Sequence, residues 1–279
     1  MIFLPVIGLY TGINAFQQGG EGITIYPIFG FVTGILVGAL GIGGGSILTP
    51  LLIMTLNITP IIAIGSALIH AFLMKTVGAM SHYEFGTIDL SITKKLLIGA
   101  IPASLLGAYF NSTLIGMNGQ ADFLIKYIIS TVLIASGLLL LLQNRYRKNN
   151  RWNLSSHFQG RKMVLLIILI GVIAGFIMSL TSVGAGTLMM PLLILLLPIT
   201  LRRIVGTTIF VSIFLTAIPG FTYLYFKFVD INLVGLLLLG SIPGVLVGAK
   251  LNNRASSRVL RLLLSPILIA IGLVLIIWR

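Results

Sequence analysis

An internal repeat limits what this chain can fold into more than any other feature. Residues 31–50, FVTGILVGALGIGGGSILTP, and residues 172–191, VIAGFIMSLTSVGAGTLMMP, align at a constant offset of 141. Gly34 falls on Gly175, Gly43 on Gly184, Gly45 on Gly186 and Pro50 on Pro191. Each stretch is an apolar segment that a glycine-rich run interrupts and that then resumes. Such a run belongs where a helix breaks and its backbone faces a neighbour or a ligand. The register continues without a gap. Gly65 falls on Gly206, Phe85 on Phe226, Asp89 on Asp230, Gly99 on Gly240, Pro102 on Pro243, Gly107 on Gly248 and Asn111 on Asn252. After a six-residue deletion, LIASGLLLLL at 133–142 meets LIAIGLVLII at 268–277. The chain is a duplication of two homologous halves.

Composition sets the solvent. The chain is 57% hydrophobic and 8% charged, with a mean hydropathy of +1.12, where soluble domains carry about 25% charged residues. A water-soluble chain of 279 residues needs a polar exterior that this one cannot supply. An all-α polytopic membrane protein follows. The net charge of +13 raises the question of nucleic acid, but the basic residues sit in short loops between apolar segments, without interleaved stacking aromatics. They fit the positive-inside rule instead, and no nucleic-acid partner is expected. The absence of cysteine excludes disulfides, thiolate metal sites and cysteine nucleophiles. The opening MIFLPVIGLYTGINAF has neither a basic n-region nor a small-residue cleavage site. An extra short N-terminal membrane helix is expected there in preference to a signal peptide.

Four regions result: a short apolar segment at 1–22, a first transmembrane repeat at 23–143, a basic linker at 144–162 and a second repeat at 163–279. The apolar region 23–56 would reach about 50 Å as one helix, against a hydrocarbon core of about 30 Å, so it must break at GIGGG. Apolar segments follow at 61–80, 92–110 and 123–142. The second half repeats the plan with 163–197, broken near Gly184, then 204–226, 231–249 and 259–278.

Charge tests how the halves are oriented. If every segment spans, the halves are parallel, and basic residues divide ten inside to seven outside. If each broken segment returns to its own side, the halves are inverted. The inside then holds fourteen: Lys94, Lys95, the six linker residues Arg145, Arg147, Lys148, Arg151, Arg161 and Lys162, with Arg202, Arg203, Lys250, Arg254, Arg258 and Arg261. The outside keeps three: Lys126, Lys227 and Arg279. The second division fits the positive-inside rule much better. Inverted repeats with two re-entrant, glycine-broken segments are therefore expected, with the linker cytoplasmic. The arms 23–40 and 163–180 are nearly long enough to cross alone.

Irregular backbone at membrane depth is tolerated only where protein buries it or a cavity borders it. The two breaks, Gly41, Gly43, Gly44 and Gly45 in one half and Gly184 and Gly186 in the other, should therefore converge. Beyond them half-helices are expected to begin at Ser46 and Thr187, presenting unpaired N–H groups and positive dipole ends. Two such ends form a cradle for an anion, with hydroxyl donors from Ser46, Ser182 and Thr187. The competing reading is that these small residues only let helices pack closely; it suits the scattered Gly34, Gly78 and Gly137 better than the clustered runs. His70 and Lys75 are ionisable residues inside a segment. His70 could hold an anion or a proton, or form an interhelical hydrogen bond. Lys75 could pair with the substrate, or snorkel to the cytoplasmic face. Asp89 and Asp230 could cap the following helices.

Enzyme signatures are missing: there is no HExxH, Walker lysine loop or GxSxG. Five acidic residues, none buried mid-segment, supply a cation or metal path poorly, so no metal site and no cofactor are expected. The pattern GxxxGxxGIGGGxxxxP from Gly34 to Pro50 resembles the sulfite exporter TauE/SafE family of membrane transporters. The second motif, GxxxSxxSVGAGTLMMP, followed by Arg202, Arg203 and Gly206-Thr207-Thr208, resembles that family's second half. Ser179 and Ser182 stand where the first half has glycine, and the apolar N-terminus is an addition. The resemblance implies export of small sulfur-containing anions, such as sulfite or organosulfonates, across the bacterial inner membrane by a secondary mechanism without ATP. The expected partners are a small anion and the lipid bilayer, with a homo-oligomer left open. A passive anion channel is the alternative.

Overall fold

The computed structural model describes residues 22–40, 45–84, 86–114, 120–148, 160–197, 199–254 and 257–277. The expectations for the segment 1–21, for Gly41, Gly43 and Gly44, and for residues 149–159 of the linker lie outside the described residues. The first half comprises α1 (Gly22–Leu40), α2 (Gly45–Leu56), α3 (Pro60–Glu84), α4 (Leu90–Leu114) and α5 (Gln120–Lys148). The second comprises α6 (Arg161–Thr181), a π turn (Ala185–Met189) running into α7 (Met190–Leu196), then α8 (Leu201–Tyr225), α9 (Ile231–Arg254) and α10 (Ser257–Ile277). Among the described residues there is no strand.

Local chemistry explains where these helices start. Pro60 opens α3, where its missing N–H costs nothing. Asp89 caps α4, its Oδ1 accepting from the N–H groups of Ser91 and Ile92 at 3.0 and 3.1 Å. Asp230 does the same for α9 through Leu233 at 3.0 Å, so both aspartates cap as expected. Buried hydroxyls in the helices turn back on their own backbone. Ser212 and Thr216 donate to Thr208 O and Ser212 O at 2.6 and 2.7 Å, which satisfies them without water.

The halves pack by exchanging partners. α1 lies along α9 and its counterpart α6 along α4, while α3 crosses α8 and α5 crosses α10. The repeat is visible contact by contact. A Cβ on Gly34 would run into the backbone of Ser241, and one on Gly175 into that of Ala100, the residue equivalent to Ser241. Gly240 lies against Pro27 and Gly99 against Ile168, again equivalent pairs. Asp89 N–H donates to Thr207 Oγ1 and Asp230 N–H to Ser66 Oγ, both at 3.0 Å.

These contacts also give directions. The start of α3, at Gly65 and Ser66, lies against Tyr223, Phe228 and Asp230, beyond which α9 begins. Past the end of α3, Thr87 and Asp89 meet the start of α8 at Gly206 and Thr207. The equivalent helices α3 and α8 are therefore antiparallel. So are α5 and α10, where Gly137 meets Ser265 and Ile269 while Gly272 meets Ser130 and Ile134. By contrast α1 and α3 both run parallel to α9, and α6 and α8 both run parallel to α4.

Among the described residues six stretches are long and apolar enough to cross a membrane: Pro60–Met80, Leu90–Asn111, Phe123–Leu142, Arg161–Thr181, Arg203–Tyr225 and Ile231–Gly248. Polarity is arranged for lipid. Leu165 and Leu239 are each 68% exposed, whereas Ser66, His70 and Ser241 are fully buried. Soluble proteins distribute these residue types the other way. The chain is a multi-pass α-helical membrane protein.

Candidate functional site

The second glycine break is built from left-handed backbone. α6 ends at Thr181, Ser182 takes φ +58° and Gly184 takes φ +150°. The Thr181 hydroxyl ties the break together, donating to Ile177 O at 2.7 Å and accepting from Val183 N–H at 3.1 Å. Leu188 and Met189 both donate their N–H to Gly184 O, at 2.9 and 3.0 Å. That shared acceptor widens the first turn into a π turn, a form often met at functional sites. The helix therefore resumes at Ala185, two residues before the expected Thr187. In the first half α2 starts at Gly45, one residue before the expected Ser46.

The two breaks meet. A Cβ on Gly45 would collide with the carbonyl and hydroxyl oxygens of Ser182, so glycine is required there by close approach. Thr49, one turn further along the same face of α2, hydrogen-bonds through its hydroxyl to the Ser182 hydroxyl. Both side chains are buried. Ser182 thus works across the halves as a partner of Thr49. No sequence pattern singles out Thr49, although its position four residues after Gly45 puts it on the same helix face.

Around this junction the two half-helices present their first N–H groups, which have no acceptor within their own helices. Ser46, Gly186 and Thr187 are all buried, and Thr187 Oγ1 has no hydrogen-bond partner. Positive dipole ends and the unpartnered Thr187 hydroxyl make donors predominate. Among the described residues no group of three His, Cys, Asp or Glu side chains could hold a metal ion.

The ionisable candidates are placed differently. His70 lies on α3 and shares a 2.8 Å hydrogen bond between Nε2 and Ser241 Oγ on α9. Of its alternatives, the interhelical bond is the one formed, while Nδ1 has no partner. Lys75 does not snorkel to water: it is 3% exposed and its Nζ has no partner. A cluster not foreseen in the sequence closes the end of α6. Tyr223 donates to Ser179 O at 2.9 Å, and Asn111 Nδ2 donates to Tyr223 Oη at 2.6 Å and to Leu180 O at 3.3 Å. These bonds occupy carbonyls that the break of α6 would otherwise leave free.

The model of the sulfite exporter TauE/SafE family matches residues 26–275, both breaks included. The chain belongs to the sulfite exporter TauE/SafE family. The probable membrane transporter protein YjnA of Bacillus subtilis is 38% identical over 253 residues, covering 89% of this chain and 98% of that one. A probable membrane transporter protein of Methanocaldococcus jannaschii is 28% identical over 262 residues, 88% of this chain and 92% of the other. The Arabidopsis thaliana sulfite exporter TauE/SafE family protein 3 is 25% identical over 138 residues, 47% of this chain and 29% of its own length. No solved structure matches the chain. The TauE/SafE fold described above is thus that of a membrane transporter family.

Proposed function

We propose that this TauE/SafE protein is a secondary carrier that exports small sulfur-containing anions, sulfite or an organosulfonate, held where its two helix breaks meet. The observation that carries the reading is the junction of Gly45, Thr49 and Ser182, which brings two half-helix starts together inside a buried protein core. Sulfite and sulfonates present several oxygens to be held by N–H and hydroxyl donors, which is what the junction offers. The substrate class follows the family description; sulfite and a sulfonate present the same oxygens to such a cradle.

The reading includes inverted halves. Equivalent helices α3 and α8 run antiparallel, as do α5 and α10, which supports a pseudo-twofold axis in the membrane plane. Because α1 and α3 run in the same direction, the chain between them returns to the face from which α1 set out. The same holds for α6 and α8. α6 is long enough to cross, but α7 must then come back. In this reading residues 86–95, the end of α5 and the starts of α6 and α8 share one face. The start of α5 with Lys126, and Lys227 after α8, share the other, in keeping with the fourteen-to-three division of basic residues expected from the sequence. The linker face is cytoplasmic. Movement of one half against the other about the junction supplies alternating access.

The test is Gly184→Val, which puts a β-branched side chain at φ +150°. Anion flux is expected to be lost while the folded protein is retained. Undiminished transport by this variant contradicts the placement of the site.

A further inference from the structure

Lys75 stands at the depth of Gly45, the first residue of α2. From Gly45, where α2 starts, the chain runs fifteen residues to Pro60, and α3 then runs fifteen more to Lys75. α2 and α3 pack against each other, joined by a turn in which Ile58 N–H donates to Leu52 O at 3.2 Å. At 1.5 Å per residue α3 rises about 22 Å from Pro60 to Lys75, while α2 with its turn descends about as far. The lysine therefore comes level with Gly45, where α2 starts. Its equivalent in the other half is Thr216, also buried, so one half alone carries the charge.

Among the described residues no acidic side chain is placed to neutralise that charge, and Lys75 Nζ has no hydrogen-bond partner. The five acidic residues are Glu21, Glu84, Asp89, Asp122 and Asp230, all at the ends of helices or beyond them. Of the elements packed against α3, α2 has no titratable side chain. α8 has Arg202 and Arg203 in its first turn and Tyr223 and Tyr225 in its last. α9 has Lys250 and Arg254 at its end. α5 has Asp122, Lys126 and Tyr127 at its start, then Arg145, Tyr146, Arg147 and Lys148 at its end. On α3 itself His70 faces Ser241, and His82, Tyr83 and Glu84 close the last turn. An ammonium buried without a counter-charge is strongly disfavoured against the neutral amine, and an anion beside it removes that penalty.

We propose that Lys75 takes up one proton each time the site binds one anion, so that anion and proton cross together as a neutral pair. The proposal rests on the anion-carrier reading above. The proton adds to the Nζ lone pair from water on the side where the anion enters and returns to water on the other side as the anion leaves. No bond between heavier atoms forms or breaks, and nothing is oxidised or reduced.

The experiment uses the full chain in proteoliposomes, a simple alkanesulfonate whose own charge is constant from pH 5 to 9, and a trapped pH-sensitive dye. With wild-type protein, sulfonate uptake is expected to carry protons at one per anion, and a one-unit pH gradient to drive about tenfold accumulation. Lys75→Arg, charged throughout, is expected to exchange sulfonate without responding to the pH gradient, and Lys75→Gln to lose sulfonate binding. Saturable wild-type uptake with no proton movement, or an unaltered pH response in Lys75→Arg, overturns the proton coupling and leaves the anion carrier standing. If Gly184→Val and wild type alike carry no sulfonate or other sulfur anion, the carrier reading fails and takes the coupling with it.

Discussion

Gly184 and Gly45 are needed for different reasons, and their substitutions should separate accordingly. At Gly184 the neighbours lie at ordinary contact distance, beginning at 3.5 Å from an added Cβ, and the obstacle is φ +150°. Forcing an L side chain there costs about 1–3 kcal/mol, so Gly184→Ala should already slow transport by roughly tenfold or more. At Gly45 the backbone is helical and the obstacle is Ser182. Gly45→Ala should push the two breaks apart, lowering anion affinity along with flux in a binding titration. The Thr49–Ser182 hydroxyl pair joins the halves. In a double-mutant cycle of Thr49→Val and Ser182→Ala, unfolding should show a coupling of about 0.5–1.5 kcal/mol. Additive effects would mean that the hydroxyls do not act as a pair. The glycines were legible in the sequence because their spacing repeats. Thr49 was not, since its role depends on which face of α2 meets a residue 133 positions away. The burial of Lys75 was equally hidden: length alone allows a lysine to snorkel, and only the packing of α3 against α2, α8 and α9 decides that it does not.

Among the elements, the helix starts and the cross-half seams invite separate tests. Asp89 and Asp230 cap α4 and α9, and each also donates its N–H to a hydroxyl in the opposite half. Asp230→Ala should cost about 1 kcal/mol, read as a lower melting temperature in detergent, and Asp89→Ala should cost a similar amount. Gly240 packs so closely against the backbone of Pro27 that an alanine methyl has no space. Gly240→Ala should therefore destabilise by about 1–3 kcal/mol, and Gly99→Ala, its equivalent against Ile168, should match it. The spans themselves were readable because long apolar runs with polar ends leave little choice in lipid. α4 extends past its apolar run at both ends, Leu90–Leu114 against 92–110, because the Asp89 cap, rather than hydrophobicity, sets where it starts. The π turn was not readable: it depends on two N–H groups sharing Gly184 O, which no residue pattern announces.

For the whole molecule, the account turns on inversion and on carriage. The antiparallel pairing of α3 with α8 and of α5 with α10 supports the proposed inversion, and the uneven basic residues supply its proposed sidedness. Reporter fusions in the 111–122 and 227–231 loops should both read outside, and fusions in the 144–162 linker inside. A cytoplasmic signal from either loop would undo the inverted arrangement. The measurement that bears most directly on the central claim is uptake by purified protein in proteoliposomes. Sulfite, thiosulfate, taurine, sulfoacetate and sulfate are supplied in turn under an imposed pH gradient, acidic outside, and the final internal concentration is compared with the external one. The account predicts saturable accumulation of at least one sulfur anion above its equilibrium level, abolished by Gly184→Val. Flux that only equilibrates the two sides, or accumulation that Gly184→Val leaves intact, would contradict it.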